Sequence, residues 1–367
     1  MKTWTASIGY NFNDNLTNEL FTEETIFFDI ETTGFSPAYT TVYLIGFLYR
    51  KGENLILTQY FSETKEEEKD VLDAFFHALT PFDTVITFNG LGFDIPYLKA
   101  KCKTYELAHP FDEKQYIDIF KEASSLKKLL NLPNYKQKTI ESFLGISRND
   151  KYNGGELIDV YKEYLRNPKE TSAFLLKQHN YEDVLGMPAL LSVLSYKKLL
   201  NGAFSAQSVE SNMYKDINGI YQKEIIILLK SEFYLPKRTS FKENEFYFTC
   251  DGYEAKLRVL LYEGTLKFFF DHPEDYYYLP EEDTAIHKSV ASGVAKEFRK
   301  KATASNCYKK KDAIFVPQYE TIITPFFKEK HKDKRTYFEL TENFLDSPSL
   351  LYQYVLHVFR YCFTLLL

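Results

Sequence analysis

The stretch Ile26-Phe27-Phe28-Asp29-Ile30-Glu31-Thr32-Thr33-Gly34 sets two carboxylates one residue apart inside an otherwise apolar run. Aromatic and β-branched residues ending at a glycine read as a β-strand over 25–31. A side-chain period of two puts Asp29 and Glu31 on one face of that strand. Burying one ionised carboxylate is costly, and burying two side by side is worse unless a cation shares them. Two readings follow: a divalent metal site where the two acids converge, or acids solvated at a strand end or paired to arginines.

Further along the chain, residues 42–50 and 54–61 also read as strands, joined as a hairpin at Arg50-Lys51-Gly52-Glu53. A helix is expected over 66–79, a strand over 84–88 ending in Asn89-Gly90, and a helix from Asp94 with Pro96 in its first turn. A short strand at 116–119 precedes helical segments near 121–130, 138–144, 155–166 and 169–199. Three antiparallel strands followed by βα units give an α/β mixed sheet flanked by helices, the layout of a ribonuclease-H-like fold.

The character changes after Asn201-Gly202. Residues 244–271 read as an antiparallel meander of three strands with turns at Asp251-Gly252 and Glu263-Gly264. A helix over 282–303 and an apolar helix from Leu350 to Leu367 are expected to follow. The chain thus divides into an α/β domain over 1–203 and a smaller α+β domain over 204–367.

At 367 residues there is length for two cores, and 44% hydrophobic with 17% aromatic residues fits a folded protein. A net charge of −6 excludes indiscriminate nucleic-acid binding over the whole surface but leaves room for a local basic groove. Cys102, Cys250, Cys307 and Cys362 are scattered without a CxxC pair, which points to a reduced, cytoplasmic protein. The first sixteen residues lack the apolar core of a signal peptide, and the last apolar stretch carries His357 and Arg360, so no membrane association is expected.

Two further segments bear on the opening pair. In Phe88-Asn89-Gly90-Leu91-Gly92-Phe93-Asp94, a strand delivers an Asn-Gly turn and then a carboxylate at a helix start. Alone, Asp94 reads equally as an N-cap. In His179-Asn180-Tyr181-Glu182-Asp183, His179 and Asp183 are four apart and share a helix face, Glu182 points elsewhere, and Tyr181 lies off that face.

DxE on a first strand, an acid after an Asn-Gly turn, and an acid on a late helix one turn after a titratable residue together resemble the three motifs of the DEDD superfamily of 3′→5′ exonucleases. The likeness is greatest to the YprB-type ribonuclease-H-like exonucleases, which include a bacterial mitomycin-repair nuclease. It covers roughly residues 20–200, with support from Tyr116–Ile119, Thr139–Arg148 and Gly155–Tyr164. The resemblance implies two Mg²⁺ or Mn²⁺ ions held by Asp29, Glu31, Asp94 and Asp183, and His179 as general base. It also implies that Asn89 and Phe93 position the terminal nucleotide and that Thr32 and Thr33 contact the 3′ end. Oxygen-only acids suit hard divalent ions, and a histidine titrates near working pH. The chain departs from the two best-known subclasses, which place tyrosine four or histidine five residues before the last aspartate.

In the second half, Tyr276-Tyr277-Tyr278 precedes Lys288, Arg299 and Lys300 on the expected helix, then Lys309-Lys310-Lys311. Lysines neutralise phosphates and aromatic faces accept bases, so this half is a candidate nucleic-acid surface; a solvated helix over packed tyrosines is the alternative.

The expected function is metal-dependent 3′→5′ hydrolysis of DNA or RNA ends, in DNA repair or nucleic-acid turnover. The alternatives are a polymerase proofreading domain, for which the remaining length is too short, and a catalytically weak adaptor serving a helicase or repair complex.

Overall fold

The computed structural model describes residues 1–12, 14–147 and 154–363. Arg148 of the Thr139–Arg148 segment and residues 364–367 of the expected terminal helix lie outside them. The chain forms two compact units, Met1–Lys198 with Phe233–Lys237, and Leu199–Glu232 with Arg238–Leu367.

In the first unit six strands run β1 (Lys2–Gly9), β2 (Thr25–Thr32), β3 (Val42–Lys51), β4 (Asn54–Phe61), β5 (Thr84–Thr87) and β6 (Gln115–Asp118). Their order in the sheet is β1-β4-β3-β2-β5-β6. β1 to β4 pair antiparallel, while β5 lies parallel to both β2 and β6. The edge strand β1 is not among the strands expected from sequence, although Thr3, Thr5 and Ser7 alternate with Trp4, Ala6 and Ile8 at the period of a half-buried strand.

The helices are α1 (Asn15–Leu20), α2 (Glu68–Leu79), α3 (Asp94–Tyr105), α4 (Ile119–Ser125), α5 (Lys127–Leu130), α6 (Gln137–Leu144), α7 (Gly154–Arg166), α8 (Glu170–Leu190) and α9 (Ser195–Leu200). One core joins Phe28, Ile45 and Phe47 of the sheet to Val71, Phe75 and Leu79 of α2 and Leu98 of α3. Another joins Tyr43, Leu44 and Phe61 to Tyr161, Ala173 and Leu176 of α7 and α8. The sheet is therefore covered by helices, and burial of these side chains supplies about 1.5–3 kcal/mol each.

The second unit contains β7 (Phe204–Lys215), β8 (Tyr221–Glu243) apart from its Phe233–Lys237 stretch, β9 (Phe246–Leu260), β10 (Tyr262–Phe269), β11 (Tyr276–Leu279), β12 (Thr284–His287), β13 (Lys300–Lys301), β14 (Tyr308–Gln318), β15 (Phe326–Phe327), β16 (Thr336–Glu339), α10 (Glu342–Leu345) and α11 (Pro348–Phe363). Three sheets form, β7-β8-β9, β10-β14-β16-β15 and β12-β11-β13.

Two expectations for this half are corrected. An antiparallel sheet is present, but 244–271 holds two strands rather than three: Asp251-Gly252 and Glu263-Gly264 lie inside β9 and β10, which belong to different sheets, and the chain turns between β8 and β9 at Asn244, which adopts φ 51°. The helix over 282–303 does not form. Thr284–His287 pairs with Tyr276–Leu279, turning at Asp283, whose φ is 50° and whose carboxylate accepts from the hydroxyls of Tyr278 and Tyr308 and ion-pairs with Lys310. Those partners, with Thr284 and Ile286 favouring extended backbone, outweigh the helical spacing of the later basic residues.

All four cysteines are free and buried. Among the described residues no helix is long and apolar enough to cross a membrane.

Candidate metal centre

Three elements converge on one cluster. β2 presents Asp29 and Glu31, opposite Gly46 and Leu44 of β3. Between Glu31 and Thr32 the register slips so that Tyr43 is the extra residue on β3, a bulge of the kind that re-aims side chains beside a site. Tyr43 is fully buried and stacks on Tyr161 at 4.1 Å, and burial together with Glu31 pushes its phenol well above the usual range.

β5 runs into Asn89 at φ 64° and then Gly90, where a Cβ would come within 2.5 Å of the Thr87 side chain; glycine is required there. The turn starts α3, and Asp94 in its first position turns back to accept from the Ile30 N–H at 3.2 Å. Asp118, at the end of β6, accepts from the N–H groups of Asn89 and Leu91, both at 3.0 Å, and of Lys121 at 3.2 Å. It ties the turn to α4.

α8 packs through Ala173, Leu176, Asn180, Val184 and Met187, a stripe at helical spacing. On the adjoining positions His179 Nε2 stands 3.2 Å from Asp183 Oδ2 and 3.6 Å from Glu31 Oε1. Ligand atoms of Glu31, His179 and Asp183 all lie within 4.8 Å of one another.

Glu31, Asp94 and His179 are buried, while Asp29 and Asp183 keep partial solvent access. Burial, then the charges of Asp94, Glu31 and Asp183, push the Asp29 carboxyl well above the usual range; the Asn180 amide opposes them. Burial likewise raises Asp94 to about 7, with Asp118 adding to the rise and the Ile30 and Asp94 N–H groups opposing it. An acid whose proton affinity three neighbouring acids raise suits a shared cation, and carboxylate oxygens suit Mg²⁺ or Mn²⁺. The residues present therefore fit a divalent metal.

The five residues expected to be catalytic thus come together. Beside them, Phe93 packs against Tyr97 and Phe35, at 5.5 and 6.0 Å, and Asn89 is exposed on the turn. Thr32 and Thr33 are half-buried and engage the loop after β2: Thr32 Oγ1 donates to Gly34 O at 2.9 Å, and Thr33 Oγ1 accepts from Thr41 N–H at 2.9 Å. Glu182 accepts from Gln178 at 2.6 Å and is half-buried. Lys288, Arg299 and Lys300 belong to the second unit. There Lys288 and Arg299 lie 5.9 and 4.7 Å from the Tyr277 ring, and Lys300 stands opposite Tyr278.

Sequence reasoning missed Asn180. Its side chain is completely buried and donates to Asp29 Oδ2 at 3.0 Å and Asp29 O at 3.3 Å. The available signal was a lone amide between Leu176 and Val184 in an apolar stripe.

No curated protein matches the chain. Similar solved structures include the family B DNA polymerase of the archaeon Pyrobaculum calidifontis, at 13% identity and TM-score 0.38 over 70% of this chain and 38% of that one. Another is E. coli exonuclease I in complex with a dT13 oligonucleotide, at 12% identity and TM-score 0.29 over 56% of this chain and 55% of that one. The chain spans less than two thirds of the length of either. Residues 26–195 match the model of the RNase_H superfamily, and the mixed sheet order with its flanking helices gives this segment a ribonuclease-H-like fold.

Proposed function

We propose that the first unit is a metal-dependent 3′→5′ exonuclease of YprB-type DEDD character, hydrolysing phosphodiester bonds at DNA or RNA ends in repair or nucleic-acid turnover. The convergence of Glu31, Asp94 and Asp183 on Asp29, with His179 beside Glu31 and Asp183, carries the reading. Asp29, facing the other three acids, would be shared by two Mg²⁺ or Mn²⁺ ions; Glu31 and Asp183 would complete one site and Asp94 the other. Bound, such ions supply an activated water and charge stabilisation for the departing oxygen.

His179 takes the water's proton through Nε2, the nitrogen facing Glu31 and Asp183, which stabilise the imidazolium that results. Asp94 keeps its orientation through the Ile30 N–H. Phe93 and Asn89, on the turn that leads to Asp94, receive the terminal nucleotide, and Thr32 and Thr33 shape the loop beside its 3′ end. Lys288, Arg299 and Lys300, grouped with Tyr277 and Tyr278, offer phosphate and base contacts from the second unit. The test is degradation of end-labelled oligonucleotides with Mg²⁺, Mn²⁺ or EDTA by wild type and Asp29→Ala.

A further inference from the structure

Asn180 occupies a place that only one arrangement of atoms fills. Asp29 on β2, Gly46 on β3 and Gln59 on β4 stand opposite one another across the sheet. The Asn180 amide lies over the middle of that row. A Cβ at Gly46 would come within 1.9 Å of Asn180 Oδ1 and 2.8 Å of its Cγ, so the amide sits in the gap left by the missing side chain.

The orientation of the amide follows from its partners. Asn180 Nδ2 donates to the carboxylate and to the carbonyl oxygen of Asp29, while Asn180 Oδ1 accepts from Gln59 Nε2 at 2.9 Å. Gln59 Nε2 donates its second hydrogen to Lys177 O at 2.9 Å, which fastens β4 to the preceding turn of α8. Turning the Asn180 amide over would set oxygen against two acceptors on Asp29 and nitrogen against a donor on Gln59. Two glutamine bonds and a glycine gap therefore lock an amide whose free hydrogens address Asp29 alone.

We propose that Asn180 is the positioning residue for Asp29, fixing the rotation of its carboxylate so that its remaining lone pairs face the metals. The inference rests on the metal-dependent reading above, in which Asp29 is the shared ligand. Partners that orient a metal ligand typically change metal affinity or activity by about 10–100-fold when removed.

The experiment compares full-length wild type, Asp29→Ala, Asn180→Leu and Gln59→Leu. Leucine keeps the branching of asparagine and removes the amide. The readouts are Mn²⁺ affinity by titration calorimetry, kcat and KM on a 3′-labelled oligonucleotide, and melting temperature. Asn180→Leu is expected to lose about 10–100-fold in kcat and to bind Mn²⁺ more weakly, with KM within about twofold. Gln59→Leu, which acts on Asp29 only through Asn180, is expected to move the same two quantities by less and decides the matter should Asn180→Leu fail to fold.

Wild-type Mn²⁺ affinity and kcat in folded Asn180→Leu, with only the melting temperature lowered, would overturn the positioning role. That result beside an inactive Asp29→Ala removes this role alone. Full activity and Mn²⁺ binding in Asp29→Ala would remove the reading on which it rests.

Discussion

The carboxylate of Asp118 grips the turn at Asn89: one oxygen accepts from the Asn89 N–H and the other from the Leu91 N–H, each at 3.0 Å. Asp118 is buried, and Asp94 begins its helix five residues beyond Asn89. A side chain outside the proposed ligand set thus sets the path of the backbone that delivers one.

Asp118→Ala should therefore leave N–H groups of the turn unsatisfied and uncap α4. At about 1–3 kcal/mol for an orphaned buried donor and about 1 for a lost cap, the melting temperature should fall by several degrees, and cleavage should drop with it. Thermal melts and initial rates check this; an unchanged rate would detach Asp118 from the site.

Asp94 gives a pH signature in the metal-free protein. Its folded pKa, about 7, lies above that of an unfolded aspartate, so its stabilising contribution is full below about pH 4 and is lost as pH rises through about 7. Asp94→Asn does not titrate. In EDTA, the stability of wild type minus that of the variant should fall between about pH 5 and about pH 7 by about 1.4 kcal/mol per pH unit. Denaturant titrations across that range measure the difference, and a flat or rising difference contradicts it.

Asp29→Asn removes the charge that Asp94, Glu31 and Asp183 oppose. At about pH 8 without metal the variant should melt higher than wild type, whereas added Mn²⁺ should raise the wild-type melting temperature more than that of the variant. Paired melts with and without Mn²⁺ test both halves.

His179 stands between Glu31 and Asp183, a place open to a base or to a ligand. As the base, its loss in His179→Ala should lower kcat by about 10²–10⁴-fold while Mn²⁺ affinity stays within a few-fold. Tyr181→Phe should cleave normally. A matching collapse of Mn²⁺ affinity would make His179 a ligand.

Lys288 and Arg299 flank Tyr277 in the second unit. Replacing either by alanine should weaken single-strand binding and lower the slope of log affinity against log salt by about 0.7 for each phosphate no longer neutralised. Fluorescence anisotropy over a salt series reads the slope directly.

The sheet was legible where apolar content was dense: the strands through Asp29, Val42–Lys51 and Asn54–Phe61 sit where alternation and the Gly52 turn put them. The convergence of Asp29, Glu31, Asp94, His179 and Asp183 was also within reach, since each motif is local and the fold orders them. Asn180, Gly46 and Gln59 were not, because their association depends on a cross-strand register and on α8 lying over it, both long-range. Between 282 and 303 a helix was expected, but pairing with Tyr276–Leu279 and the Asp283 turn decided the backbone.

The most direct test is the fate of oligonucleotides labelled at the 3′ or the 5′ end, single- and double-stranded, DNA and RNA. With Mg²⁺ or Mn²⁺, wild type should release 3′ label at once and shorten 5′-labelled strands progressively. EDTA and Asp29→Ala should each abolish both. Cleavage that persists in EDTA, or a full rate in Asp29→Ala, would contradict the metal-dependent account.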